Sequence, residues 1–156
     1  MDGKTAAGIV RNERKYLQNI IKDFKPENGG FNPVEGMLTV AQQINHIAHT
    51  ILWFREGAFG SGFEMDPAVL EKQVMVKVSF EESLKKLNDT YDNWIAFLEG
   101  LSEEELNAPL PENSFFGPLP KSMIIYSNFE HTAHHRGALS VYLRLLGIKP
   151  TMVYMG

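Results

Sequence analysis

The five histidines of this chain fall in two groups, His46 and His49 in one, His131, His134 and His135 in the other. Four residues separate His131 from His135, which on a helix is about 40° around the axis, so both imidazoles leave the same face. That face also carries Ile124, Asn128, Ala138 and Tyr142, a mostly apolar stripe that directs the pair toward a protein interior. Two inward imidazoles are costly to bury unless each finds a partner. One divalent metal ion satisfies both, because neutral imidazole is a good ligand for Zn, Ni, Cu and Fe. A third ligand from the other group would complete a three-histidine site with an open coordination position. His46, beside the Ile44/Ile47 apolar face and two turns before Trp53, is the candidate, with His49 the alternative.

Around this core lie residues with weaker claims. His134 reads as a rim or surface histidine. Glu130 is a candidate outer partner for an imidazole and equally a solvated carboxylate. Arg136 is ordinarily a surface cation; at an inner position it would bind an anionic substrate. Glu130 and Arg136 are the two catalytic candidates. Trp53, Phe54, Tyr91 and Trp94 are most simply core.

These side chains need rigid helices to hold them, and the sequence supplies helical periodicity nearly everywhere. From 5 to 24, Ala6, Ile9, Val10, Tyr16, Leu17, Ile20 and Phe24 share one stripe, ended by Pro26 and Asn28-Gly29-Gly30. Thr39-Val-Ala-Gln42 is a capping box that opens a second helix running to about Gly57. Asp66-Pro67 starts a short helical piece within the loop-rich stretch 58–78. Ser79-Phe-Glu-Glu82 is another capping box, and the 3.6 period then holds through Leu84, Leu87, Tyr91, Trp94, Leu98 and Leu101. Ser102-Glu-Glu-Glu105 caps one further turn. Proline and glycine make 108–120 a loop, and a last helix runs from about Lys121 to Leu146 with Gly147 beyond its end. Four long amphipathic segments predict an all-α four-helix bundle with long connections, one domain spanning 1–156.

Composition narrows the function. In 156 residues, 15 Lys and Arg against 19 Asp and Glu leave a net charge of -4, and the basic residues are scattered, which argues against nucleic acid as a partner. With no cysteine there is no disulfide, no thiolate metal ligand and no cysteine nucleophile. No apolar run reaches the ~18 residues of a membrane span, and the first residues lack the apolar core of a signal peptide. The expectation is a cytoplasmic protein with no membrane contact.

Motif chemistry removes further classes. There is no H-E-x-x-H, so a zincin protease is excluded. No Glu lies three residues before any His, which removes the bridged di-iron pattern. A G-x-S-x-G elbow and a phosphate-cradling loop are also missing. One mononuclear divalent-metal site remains, in a metal-dependent enzyme or in a non-catalytic metal-binding or stress-response bundle. A plain bundle with satisfied core histidines is the third reading.

The segment Glu130-His131-Thr-Ala-His134-His135-Arg136-Gly137 resembles the H-x-x-x-H-R-G signature on the last helix of the DinB family. Gln43-Ile-Asn-His46-Ile-Ala-His49-Thr-Ile-Leu-Trp53 resembles that family's other histidine element. The likeness extends over essentially the whole chain, through Arg144-Leu-Leu-Gly147 and Pro150-Thr-Met-Val-Tyr154. Carried over by position, it implies His46, His131 and His135 as the metal ligands and leaves His49 and His134 outside. The family usually has Gln after H-R-G; Ala138 here removes any polar role at that position. The resemblance further implies a DinB-like four-helix bundle, often homodimeric, holding one Zn or Ni ion. It implies metal-dependent transferase or isomerase chemistry with a low-molecular-weight thiol as cosubstrate. The three neutral ligands with an open position suit a thiol S-transferase or hydrolase acting on a small molecule. The family's name comes from a damage-inducible gene and implies no contact with DNA.

Overall fold

The computed structural model describes residues 1–112, 114 and 116–155. Among these residues lie six α-helices: α1 (Gly3–Ile21), α2 (Val40–Phe59), α3 (Pro67–Val74), α4 (Phe80–Glu99), α5 (Glu103–Asn107) and α6 (Met123–Leu145). A 3-10 turn at Pro26–Asn28 follows α1, and an antiparallel bridge joins Pro109 to Pro120. Among the described residues there is no β-strand.

Local chemistry sets the helix ends. Thr39 Oγ1 accepts from Gln42 N (3.2 Å) while Gln42 Oε1 accepts from Thr39 N (3.0 Å), closing the capping box at the head of α2. Ser79 and Glu82 do the same for α4, and Ser102 and Glu105 for α5. Asp66 caps α3 with Pro67 in its first position. At the end of α6, Gly147 takes the left-handed conformation (φ +77) in which a side chain is disfavoured. The first helix closes at Ile21 and not at Phe24: Asp23 and Phe24 donate to carbonyls three residues back, and Lys25, before Pro26, is extended. Phe24 still buries its ring.

Helices α1, α2, α4 and α6 form the four-helix bundle. α1 packs on α4 and α6, and α2 packs on the same two, so α1 and α2 face each other across one diagonal and α4 and α6 across the other. The chain must cross a diagonal from α1 to α2 and again from α4 to α6, which explains connections longer than hairpin loops. The core is built from Leu17 and Ile20 of α1, Ile44, Ile47 and Ile51 of α2, Trp94 and Leu98 of α4, and Ile124, Leu139 and Leu143 of α6, each essentially inaccessible. Burial of each such side chain contributes about 1.5–3 kcal/mol. Short α3 buries none of its residues fully and packs on α2. Among the described residues, no helix is long and apolar enough to cross a membrane.

Candidate metal centre

α6 runs through the bundle with polar groups on two adjacent stripes. His131 and His135 project toward α2, and Asn128, Thr132 and Arg136 toward α1, because one residue turns the helix by about 100°. Across from the first stripe, α2 presents His46 one turn after Gln43. The ligand-capable nitrogens of His46, His131 and His135 lie within 4.8 Å of one another. His131 Nε2 is 3.2 Å from His46 Nε2 and 3.1 Å from His135 Nε2. No other His, Cys, Asp or Glu joins this group among the described residues.

The tautomer of His135 follows from a directed chain of hydrogen bonds. Tyr142 Oη donates to the Leu38 carbonyl (3.0 Å), leaving its lone pairs for Gln43 Nε2 (3.4 Å). Gln43 is thereby turned so that its Oε1 accepts from His135 Nδ1 in a close contact. With its proton on Nδ1, His135 must present a bare lone pair at Nε2. Three Nε2 atoms then converge with too few protons to satisfy every pair, since one imidazole nitrogen carries at most one hydrogen. A cation between them resolves this. Nitrogens held at about 2.0–2.1 Å in tetrahedral geometry stand roughly 3.3 Å from each other, close to the two spacings observed. The three histidines therefore fit, and could hold, a divalent ion.

Electrostatics favours the neutral, ligand-competent form. Burial, then the neighbouring histidines His131, His46 and His134, push the pKa of His135 down to about 3. His131 is lowered to about 4 by burial and by His46 and His134, and His46 is lowered chiefly by burial. Only His135 has its outer nitrogen engaged. The Nδ1 atoms of His46 and His131 are buried without a hydrogen-bond partner among the described residues.

His46 and His131 form the floor of a cavity of about 300 Å³. Trp53 and Phe54 from α2, Leu70 and Val74 from α3, and Phe116 from the loop before α6 make its walls. Trp53 is fixed by its Nε1 donating to the Glu64 carbonyl (2.8 Å) and by its edge against Phe63. Gly57 makes room for the Phe63 ring, which a Cβ at that position would strike.

The remaining candidates lie elsewhere. His49 stands one turn beyond His46 and lines the cavity wall, its pKa lowered to about 4 by burial and then by Lys86 and His46. His134 is exposed and touches His135 edge to face. Glu130 is exposed on the outer side of α6 and does not line the cavity. Arg136 is inward, as one alternative reading had it, but it faces α1 and lies near the rings of Tyr16 (5.7 Å) and Tyr154 (5.9 Å). It does not line the cavity either.

Two of the buried polar residues to which the sequence alone assigns no role stand at hydrogen-bond hubs of the interior. Gln43 is one. Glu13 of α1 is the other, fully inaccessible, its Oε1 accepting from Tyr91 Oη (2.6 Å), Thr132 Oγ1 (2.8 Å) and Asn128 Nδ2 (3.0 Å). Burial outweighs those donors and raises its pKa to about 7. The signal was present, since Glu13 sits on the stripe of Ala6, Val10, Leu17 and Ile20, where a charge demands a reason.

A family model described as the DinB superfamily matches residues 10–139, a span that includes all three converging histidines. The chain belongs to the DinB superfamily. Its DinB-like fold recurs in the crystal structure of a DinB-like protein from Bacillus cereus ATCC 10987, with a TM-score of 0.73, 23% identity and 92% of each chain covered. A DinB-like protein from Bacillus subtilis gives a TM-score of 0.71 at 17% identity, with 97% of each chain covered. At these identities the likeness is one of fold. No curated protein matches this DinB-superfamily chain.

Proposed function

We propose that this DinB-superfamily protein is a metal-dependent enzyme, of thiol S-transferase or hydrolase type, that acts on a small molecule through one divalent ion held by His46, His131 and His135. The observation that carries the reading is the cavity that opens onto His46 and His131, where a purely structural site would be closed by a fourth protein ligand. When bound, a Zn or Ni ion at three neutral ligands supplies Lewis acidity that lowers the pKa of a thiol or water at neutral pH.

The protein's own part is positional. Gln43 keeps the His135 proton on Nδ1 and its Nε2 free. The aromatic and aliphatic walls give the approach to the centre an apolar surface. Among the described lining residues the one titratable group besides the two floor histidines is His49, whose pKa of about 4 makes it a weak base at pH 7. That favours the thiol-transfer form over hydrolysis. In it the thiol loses its proton to solvent, its sulfur forms a bond to an electrophilic carbon, and the leaving group departs with the electron pair.

The test is elemental analysis of protein purified without a metal column, comparing wild type with His46→Ala, followed by thiol-transfer assays. About one equivalent of metal in wild type, little in the variant, and turnover that follows the metal are expected. Full metal with no turnover against a panel of thiols and electrophiles would favour the non-catalytic reading. No metal in either protein after incubation with Zn²⁺ and Ni²⁺ would end the enzyme proposal.

A further inference from the structure

The cavity over the histidines has a one-sided chemistry. Its described lining holds no Lys, Arg, Asp or Glu, and apart from the histidines the polar side chains that it offers are Thr50 and Gln73. It adjoins a second cleft of about 480 Å³ that shares His49, Trp53 and Gln73 as walls. There the charged lining residues are Glu56 and Glu64. Glu56 stays ionised, its carboxyl held below the usual range by the Ser61 backbone and hydroxyl donors (2.8 Å each). Lys86, whose charge His49 feels, lines neither cleft and donates its ammonium to Asn45 Oδ1 (3.1 Å). Arg136, the cation that would have received a substrate carboxylate, is turned to the α1 side near Tyr16.

We infer that the molecule entering this cavity carries an uncharged aromatic or branched-aliphatic group, and that thiols or electrophiles bearing an anionic group beside the reacting atom are excluded. This rests on the metal-dependent reading above and deepens it by naming the substrate class. An anionic group against Trp53, Phe54 and Leu70 would lose hydration where the lining offers no Lys or Arg and, apart from the histidines, only Thr50 and Gln73 as polar partners. The carboxylates of Glu56 and Glu64 in the adjoining cleft add negative potential on that side, which attracts no anion. An aryl group, by contrast, buries apolar surface against walls of three aromatic and two branched aliphatic side chains.

The experiment titrates cobalt-loaded protein with two thiols of similar acidity and reads the cobalt absorption spectrum. One is phenylmethanethiol; the other is 2-mercaptoethanesulfonate, whose sulfonate is a poor metal ligand. Phenylmethanethiol is expected to saturate the spectral change at a concentration about tenfold lower or more. Val74→Lys, on a helix that buries none of its residues fully, should shrink that ratio at least severalfold while cobalt stoichiometry stays near one. Equal affinities, or tighter binding of the sulfonate, would overturn the substrate class while leaving the metal reading intact. A ratio unchanged by Val74→Lys would overturn the placement of the aryl group in this cavity. Cobalt bound with no response to either thiol, or no cobalt bound at all, would remove the metal-dependent reading and this inference with it.

Discussion

Gln43 Oε1 accepts the Nδ1 proton of His135 across the α2–α6 interface, and Tyr142 holds Gln43 in that orientation. A residue on the helix that carries His46 therefore decides which nitrogen of His135 faces the centre. Outer hydrogen bonds of this kind fix the ligand's tautomer and raise its basicity.

Replacing that acceptor should cost metal and little else. Gln43→Leu is expected to weaken Zn²⁺ binding about 10–100-fold, as measured by competition with a chromogenic chelator. Tyr142→Phe, which removes only the second link, should have a smaller effect in the same direction. Unchanged affinity in Gln43→Leu would mean that the contact is only packing.

The five histidines should separate cleanly. Alanine at His46, His131 or His135 is expected to lower bound metal from about one equivalent to near zero, whereas His49→Ala and His134→Ala retain it. Elemental analysis of all five variants checks this. Loss from His134→Ala equal to that from His131→Ala would refute the ligand set.

Acid should destabilise the metal-free protein in a defined window. His131 and His135 have folded-state pKa values of about 4 and about 3, below the ordinary 6.5. As pH falls below 6.5 the unfolded chain takes up protons that the folded chain refuses, so the stability present above that value is lost down to about pH 3–4. Thermal melts of the metal-free protein from pH 7.5 to 4 should show a falling Tm. A double variant, His131→Gln with His135→Gln, should show a shallower fall.

Glu13 should behave with the opposite sign. Its pKa is about 7 when folded against 4.5 as a free side chain, so the folded chain holds the proton more tightly. That contribution is complete below pH 4.5 and lost as pH rises through 7. The Tm of Glu13→Gln relative to wild type should therefore rise between pH 4.5 and 8. Glu13→Leu should lose about 2–4 kcal/mol in denaturant unfolding, because Tyr91, Thr132 and Asn128 are left without their shared acceptor.

The sequence by itself determined the helices and the caps at several of their ends. Thr39 with Gln42, Ser79 with Glu82, Ser102 with Glu105, Asp66-Pro67 and Gly147 are local signals, and each stands where its chemistry places it. It also determined that His131 and His135 share a face, because that depends only on the 3.6-residue turn. What periodicity cannot supply is the rotation and height of one helix against another. Two imidazoles three residues apart on α2 differ by about 4.5 Å along the axis, and only the packing of α2 on α6 set His46 level with His131 and left His49 at the cavity wall. The same packing turned Arg136 toward Tyr16, put Gln43 against His135, and enclosed Glu13 among donors from α4 and α6. Each of these is a contact between residues more than 75 positions apart, and only the folded interior, where an unpaired polar group is costly, selects among them.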